Sequence, residues 1–208
     1  MITPDLQKKA MIYLGEKDAK LKKVIEEFGQ IEWTEDESYF YSLVTSTIGQ
    51  QLSSKAADTI WKRFEKLLKG QRLAPDIVLA IPDQAIRDAG VSWSKIKYIK
   101  DLASKVIESG IIFEQFDIMT DEEIITELIK VKGIGRWTAE MFLIFNMQRP
   151  DVFSYGDLGL RRAIRNIYHL DHEPTPEEAE KISSNWKPFR SIASRYLWLS
   201  LDVKLANH

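Results

Sequence analysis

The chain has 208 residues, no cysteine, three histidines and a formal net charge of −2. That length suits one sizeable domain or two small lobes around a cleft, and the lack of cysteine excludes a disulfide framework and any thiolate-bound zinc or iron–sulfur cluster. The slight negative balance excludes a protein that coats DNA through its overall field, so any nucleic-acid contact must come from a local basic face.

The patterning is helical from end to end. Thr3-Pro4-Asp5 opens a first helix, and residues 18–28 carry a short apolar stripe of Leu21, Val24, Ile25 and Phe28. Residues 29–37 read as an acidic connector. Residues 38–48 form a strongly apolar helix, broken by Gly49-Gln50-Gln51-Leu52-Ser53. Ser53 or Ser54 can cap the next helix, residues 55–68, with Ala56, Ala57, Ile60, Phe64 and Leu67 facing inward. Two short helices over 75–81 and 83–89 end at Gly90, and an amphipathic helix over 94–109 stops at Gly110.

Thr120-Asp-Glu-Glu123 is a capping box, followed by apolar Ile124, Ile125, Leu128 and Ile129. That run stops at Gly133. Gly133 and Gly135 bracket Ile134, and a second helical pattern resumes at Arg136 with Trp137, Met141, Phe142, Ile144 and Phe145. Two helices joined by Gly-Ile-Gly make a tight hairpin, because glycine tolerates positive φ and lets another backbone approach. The first N–H groups of the second helix, beside Lys130, Lys132 and Arg136, then form an anion site suited to a DNA phosphate. Residues 158–168 are helical, Thr175-Pro176-Glu-Glu178 starts another helix with a cap and an N1 proline, and Pro188 is expected to begin the last. Acidic residues gather at helix starts and in loops, and basic ones around 130–136 and 161–165. The pattern contains no internal repeat and no strand.

The run Val131-Lys-Gly-Ile-Gly-Arg-Trp-Thr-Ala139, with Asp151-Val-Phe-Ser-Tyr-Gly-Asp157 downstream, closely resembles the signature of the helix-hairpin-helix (HhH-GPD) DNA glycosylase superfamily. Trp137, Trp198 and the segment Trp186-Lys-Pro-Phe-Arg-Ser191 point to its 3-methyladenine DNA glycosylase II (AlkA-type) branch. The resemblance covers residues 38–205. It implies an all-α fold of two helical lobes with the hairpin and a cleft between them, without the extra N-terminal β domain common in the family. The first lobe is expected over 38–115. The second is expected over 116–208 with 1–30, carrying the hairpin (128–139) and Asp157.

The resemblance also implies the chemistry. Hydrolysis of a glycosidic bond in DNA passes through a sugar cation and needs a carboxylate near the sugar. Asp157 is the catalytic candidate by its spacing from the hairpin. Bifunctional members place a Schiff-base lysine two residues after the second hairpin glycine; Trp137 stands there, which implies a monofunctional enzyme that leaves an abasic site. The target nucleotide must be flipped out, with Gln51, or its neighbour Leu52, as the wedge and Ser53 beside them on the DNA-facing turn. Trp137 and Trp198 are pocket candidates whose electron-rich rings favour cationic alkylated purines. Met141 and Leu199 occupy nearby positions where the family has tyrosine.

Phosphate contacts fall to Lys132, Gly133, Gly135, Arg136 and Thr138. A structural Na+ or K+ is implied at the carbonyls of Ile129, Val131 and Ile134, and no cofactor for the reaction itself. The expected partner is double-stranded DNA with damaged bases, bound by a monomer. With no basic-then-apolar N-terminal segment and no apolar run long enough for a bilayer, the expected compartment is cytoplasmic, at the nucleoid. His169-x-x-His172 lies in a helix-end loop with no third ligand evident. Two alternatives remain: a glycosylase for deaminated or oxidised bases, or a non-catalytic DNA-binding protein in which Asp157 is only a cap.

Overall fold

The computed structural model describes residues 1–33 and 38–206, and of residues 202–206 only the backbone. The acidic connector therefore lies partly, and His208 wholly, outside the described residues. Within them every regular element is a helix, as the patterning predicts. The α-helices are α1 (Pro4–Lys17), α2 (Ala19–Phe28), α3 (Tyr39–Gly49), α4 (Ser54–Leu67), α5 (Pro75–Ala80), α6 (Asp83–Asp88), α7 (Trp93–Ile107), α8 (Asp121–Leu128), α9 (Arg136–Phe145), α10 (Leu158–Tyr168), α11 (Pro176–Ser183) and α12 (Arg190–Ala206). Both sequence-level capping boxes form, at Thr120/Glu123 and Thr175/Glu178. None of the helices is long and apolar enough to cross a membrane.

The chain divides into a terminal unit, Met1–Thr34 with Leu143–His208, and a central unit, Glu35–Phe142. In the terminal unit, Leu14, Leu21, Leu160, Ile164, Trp186, Ile192 and Tyr196 are fully buried in one cluster. Each such apolar side chain contributes about 1.5–3 kcal/mol. Asp18 fastens the N-terminal helices to this core. It caps α2 by accepting from the N–H groups of Lys20 and Leu21 (both 3.0 Å). It also accepts from the Trp186 indole at 2.9 Å and from the Tyr168 hydroxyl. Burial opposes the Asp18 charge, but those donors outweigh it and hold the carboxyl below the ordinary aspartate value. Burial and the Asp18 charge together push the Tyr168 hydroxyl up.

Two sequence expectations shift. The hairpin groups with the central unit and not with the C-terminal segment. The boundary expected between residues 115 and 116 instead falls inside a 3₁₀ turn (Phe113–Ile118) whose Phe113 and Phe116 pack edge-on or stacked with Tyr39 of α3. Tyr39 and Phe116 also meet Phe142 of α9, so aromatic contacts run straight through the supposed boundary. The last helix starts at Arg190, two residues after Pro188. A turn closed by the Phe189 N–H on the Trp186 carbonyl (2.7 Å) takes up Pro188, and the Phe189 carbonyl then accepts the Ala193 N–H.

Candidate nucleic-acid interface and active-site carboxylate

The hairpin is built as tightly as its glycines suggest. After α8, the Val131 N–H returns to the Leu128 carbonyl (3.0 Å) and the Ile134 N–H to the Val131 carbonyl (3.1 Å). Gly133 sits at φ 82°, and a Cβ added there would run into the ring of Tyr98 on α7. Glycine is therefore required twice over, by backbone conformation and by space. Gly135 differs: its φ is not positive, and a Cβ there would meet open space. Nothing in the fold of the hairpin itself demands a glycine at 135.

The basic side chains of the hairpin are engaged with acids. Lys130 pairs with Glu127 (2.6 Å), Lys132 lies 3.8 Å from Asp101, and Arg136 bonds both Glu122 and Glu140, the latter at 3.0 Å. The bond to Arg136 holds the Glu122 carboxyl below its usual value and raises the guanidinium. The Arg136–Glu122 pair, open to solvent on both sides, is worth about 0–1 kcal/mol, so an incoming phosphate can displace it, whereas Glu140 and Asp101 are largely covered. Together the pairs cancel much of the local positive field, leaving the backbone amides as the fixed donors.

The α3–α4 turn lies against the same hairpin. Gln51 occupies the left-handed region at φ 57°, a conformation that costs a non-glycine residue on the order of 1–2 kcal/mol. Ser53 caps α4 by accepting from the Ala56 N–H (3.4 Å), and Gln51 and Leu52 are exposed. The Gln50 amide donates to the Gly133 carbonyl (3.3 Å). From α7, the Lys95 ammonium donates to the carbonyls of Ile48 (2.8 Å) and Gln50 (2.6 Å), and burial pushes that ammonium below the usual lysine value. Asp101, also on α7, accepts the Lys132 N–H (2.9 Å). Ser46, Gly49, Gln50, Gln51, Leu52, Trp137 and Thr138 line an open cleft of about 560 Å³. Trp137 is 49% exposed there, too open for a core tryptophan, and Thr138 is buried.

Asp157 belongs to the terminal unit, where it caps α10. One oxygen, Oδ1, accepts both the Leu160 N–H (2.7 Å) and the Trp198 indole N–H (3.1 Å), and the residue is 8% exposed. Gly159 lets this happen: a Cβ there would stand 3.0 Å from Asp157 Oδ1 and 3.3 Å from Trp198. Trp198 in turn stacks on Phe145 (centroids 5.4 Å apart, planes at 28°), and the Arg195 guanidinium lies over Phe145 (5.2 Å) and Trp33 (4.7 Å). An acid held against a wall of stacked aromatic rings can face a sugar cation and a flat, electron-poor base together.

A family model described as HhH-GPD superfamily base excision DNA repair protein matches residues 44–188. The chain belongs to that superfamily. It is 35% identical to DNA-3-methyladenine glycosylase 1 of Schizosaccharomyces pombe over 96% of this chain and 89% of that one. It is 31% identical to a putative DNA-3-methyladenine glycosylase of Bacillus subtilis over 88% of this chain and 66% of that one. Among solved structures, a DNA-3-methyladenine glycosidase from Bacillus halodurans superposes with a TM-score of 0.82 at 34% identity, covering 95% of this chain and 89% of that one. The S. pombe 3-methyladenine DNA glycosylase bound to abasic DNA gives 0.82 at 34% identity, with 91% and 95% covered. The resemblance read from the sequence thus holds, to the superfamily and to proteins of that name.

For this HhH-GPD chain the structure collects the sequence-predicted residues into two groups. Gln51, Leu52, Trp137 and Thr138 share the cleft of the central unit, with Met141 half-buried one helical turn beyond Trp137. Asp157 and Trp198 bond each other in the terminal unit, and Leu199 is half-buried beside them in sequence. Lys132 and Arg136 stand in ion pairs. The carbonyls of Ile129, Val131 and Ile134 fall on the turn after α8, with Ile129 as its C-cap. His172 meets the Glu178 carboxylate at 3.2 Å and His169 closes α10 in the left-handed region. Sequence reading missed Lys95, Tyr98, Asp101, Phe145 and Arg195. None of the first three carries a local signal, because the buried face of α7 is Ile96, Ile99, Leu102 and Ala103 and the stripe lies beside it.

Proposed function

We propose that this chain is a monofunctional DNA glycosylase that hydrolyses the N-glycosidic bond of alkylated purines, such as 3-methyladenine, in duplex DNA. The observation that carries the reading is the Asp157 carboxylate, held at one oxygen by Leu160 and Trp198 and backed by the Trp198–Phe145 stack. Such a carboxylate stabilises the developing sugar cation, aligns water for it, or both. A purine already cationic from alkylation leaves without a general acid, and aromatic faces favour it by cation–π attraction. The S. pombe relative at 35% identity bears the 3-methyladenine name, which supports this choice of base over deaminated or oxidised ones.

The hairpin's part is to hold the strand. Gly135, which its surroundings leave open to a Cβ, is the position where a phosphate would come close to the first amides of α9, with Thr138 nearby on the same turn. A monovalent cation would be held by the carbonyls of Ile129, the C-cap at the negative end of α8, and of Val131 and Ile134 on the turn that follows. It would add positive charge toward the same phosphate. Gln51 or Leu52, exposed on the α3–α4 turn, fills the gap left by the extruded nucleotide, whose flipping costs a few kcal/mol. Trp137 occupies the position where a lyase lysine would stand.

The test is to incubate the purified protein with duplex DNA treated with a methylating agent. Free alkylated purines should accumulate, and strands should break only after hot alkali. Breaks without alkali would contradict the monofunctional assignment, and absence of released base would contradict the glycosylase.

A further inference from the structure

We infer that Lys95, Tyr98 and Asp101, a single stripe on α7, are positioning residues that hold the wedge turn and the hairpin in one fixed register. The inference rests on the glycosylase reading above, because it concerns how that enzyme would extrude its nucleotide. Residues three apart lie on the same helical face, and the six-residue span covers about 9 Å along the axis. Lys95 and Asp101 bond backbone groups of the turn and the hairpin, Tyr98 packs against the hairpin backbone, and Asp101 is itself held by Lys105 at 3.0 Å. Lys95 holds the carbonyls of Ile48 and Gln50 at the end of α3. Tyr98 fills the space under Gly133, and Asp101 takes the Lys132 N–H. The Gln50 amide closes the circuit onto the Gly133 carbonyl.

Lys95 is the decisive member. Carbonyls at a helix C-terminus lack intrahelical partners, and a cation there satisfies both their bonding and the helix dipole. Its grip on the Gln50 carbonyl sets the backbone immediately before Gln51, the one residue of this turn in the left-handed region. A non-glycine residue stays in that region only when its surroundings over-determine it. Remove the ammonium, and Gln51 and Leu52 lose the template that points them outward while the hairpin still holds the strand. Extrusion then suffers and bond cleavage does not.

The experiment compares single-turnover base release from two oligonucleotides, one with an alkylated purine paired in a duplex and one with the same purine in a bulge lacking an opposing base. Opening a bulge needs far less unpairing. Lys95→Met should slow release from the duplex by about 10–100-fold and from the bulge by less than about 3-fold, and Lys95→Arg should restore the duplex rate to within about 5-fold. Added to Gln51→Ala, Lys95→Met should cost less than about 3-fold more, since both act through one turn. Asp101→Ala, which frees the hairpin end of the stripe, should show the same preference for the bulge. Equal losses on both substrates in both variants, or no loss on the duplex, would overturn the inference. A wild-type protein that frees no base from either substrate would remove the functional reading itself, and the inference with it.

Discussion

The Trp198 indole N–H and the Leu160 backbone N–H converge on the same oxygen of Asp157, Oδ1, at 3.1 and 2.7 Å. Helix capping alone would need only the backbone donor. The second donor comes from α12, 41 residues away in the chain, and fixes the carboxylate plane against the aromatic wall.

Trp198→Phe separates these roles, because it keeps a ring on Phe145 and deletes the donor. A hydrogen bond to a charged acceptor contributes about 1.5–3 kcal/mol, so base release should slow by about 10–100-fold. Binding of abasic DNA should stay within about 3-fold, measured by fluorescence anisotropy. A larger loss of binding than of rate would place Trp198 in the grip on DNA.

The two hairpin glycines should part company. Gly133→Ala forces a Cβ toward the Tyr98 ring at a positive φ and should lower stability by about 2–4 kcal/mol in denaturant titration. Gly135→Ala meets nothing in the protein and should leave stability within about 1 kcal/mol while weakening duplex binding about tenfold or more. Unaltered DNA binding by Gly135→Ala would deny the close approach of a phosphate there.

Salt dependence should be shallow. Because Lys130, Lys132 and Arg136 rest in ion pairs, each phosphate contact they make exchanges one partner for another. Lys132→Ala should therefore change the slope of log affinity against log salt by well under 1, where a free phosphate-bound lysine would change it by about 1. The Asp101→Asn variant should steepen the slope by releasing Lys132.

Asp18 makes the protein sensitive to acid. Its folded carboxyl lies below the unfolded value, so its contribution is complete above about pH 4 and is lost as the pH falls through the folded value. Unfolding free energy measured from pH 6 down to pH 2 should fall more steeply for the wild type than for Asp18→Asn. Parallel curves would show that the bonds from Tyr168 and Trp186 do not depend on the charge.

What could be read in the chain beforehand was local. Thr3, Ser38, Thr120, Asp157 and Thr175 announce helix starts by chemistry confined to three or four residues, and all five cap the helices expected. Gly-Ile-Gly announces the hairpin in the same way. Contacts between distant segments were not legible. Tyr98 gives no sign in sequence that it lies beneath Gly133, and Phe145 reads as one more apolar position of α9 until α12 brings Trp198 onto it. Of the two partners of Arg136, Glu140 lies one turn on along the same helix and could have been read locally, whereas Glu122 lies 14 residues earlier on another helix. The aromatic contacts that Phe113 and Phe116 make with Tyr39 and Phe142 come from a stretch too short and irregular to show a period.

The most direct measurement is chromatography of the bases freed from methylated duplex DNA by the wild type and by Asp157→Asn. Asparagine caps a helix as well as aspartate does, so the fold should survive. Removing the charge should cut release by about 10²–10⁴-fold while DNA binding holds or tightens. Equal yields of 3-methyladenine from both proteins would contradict the account.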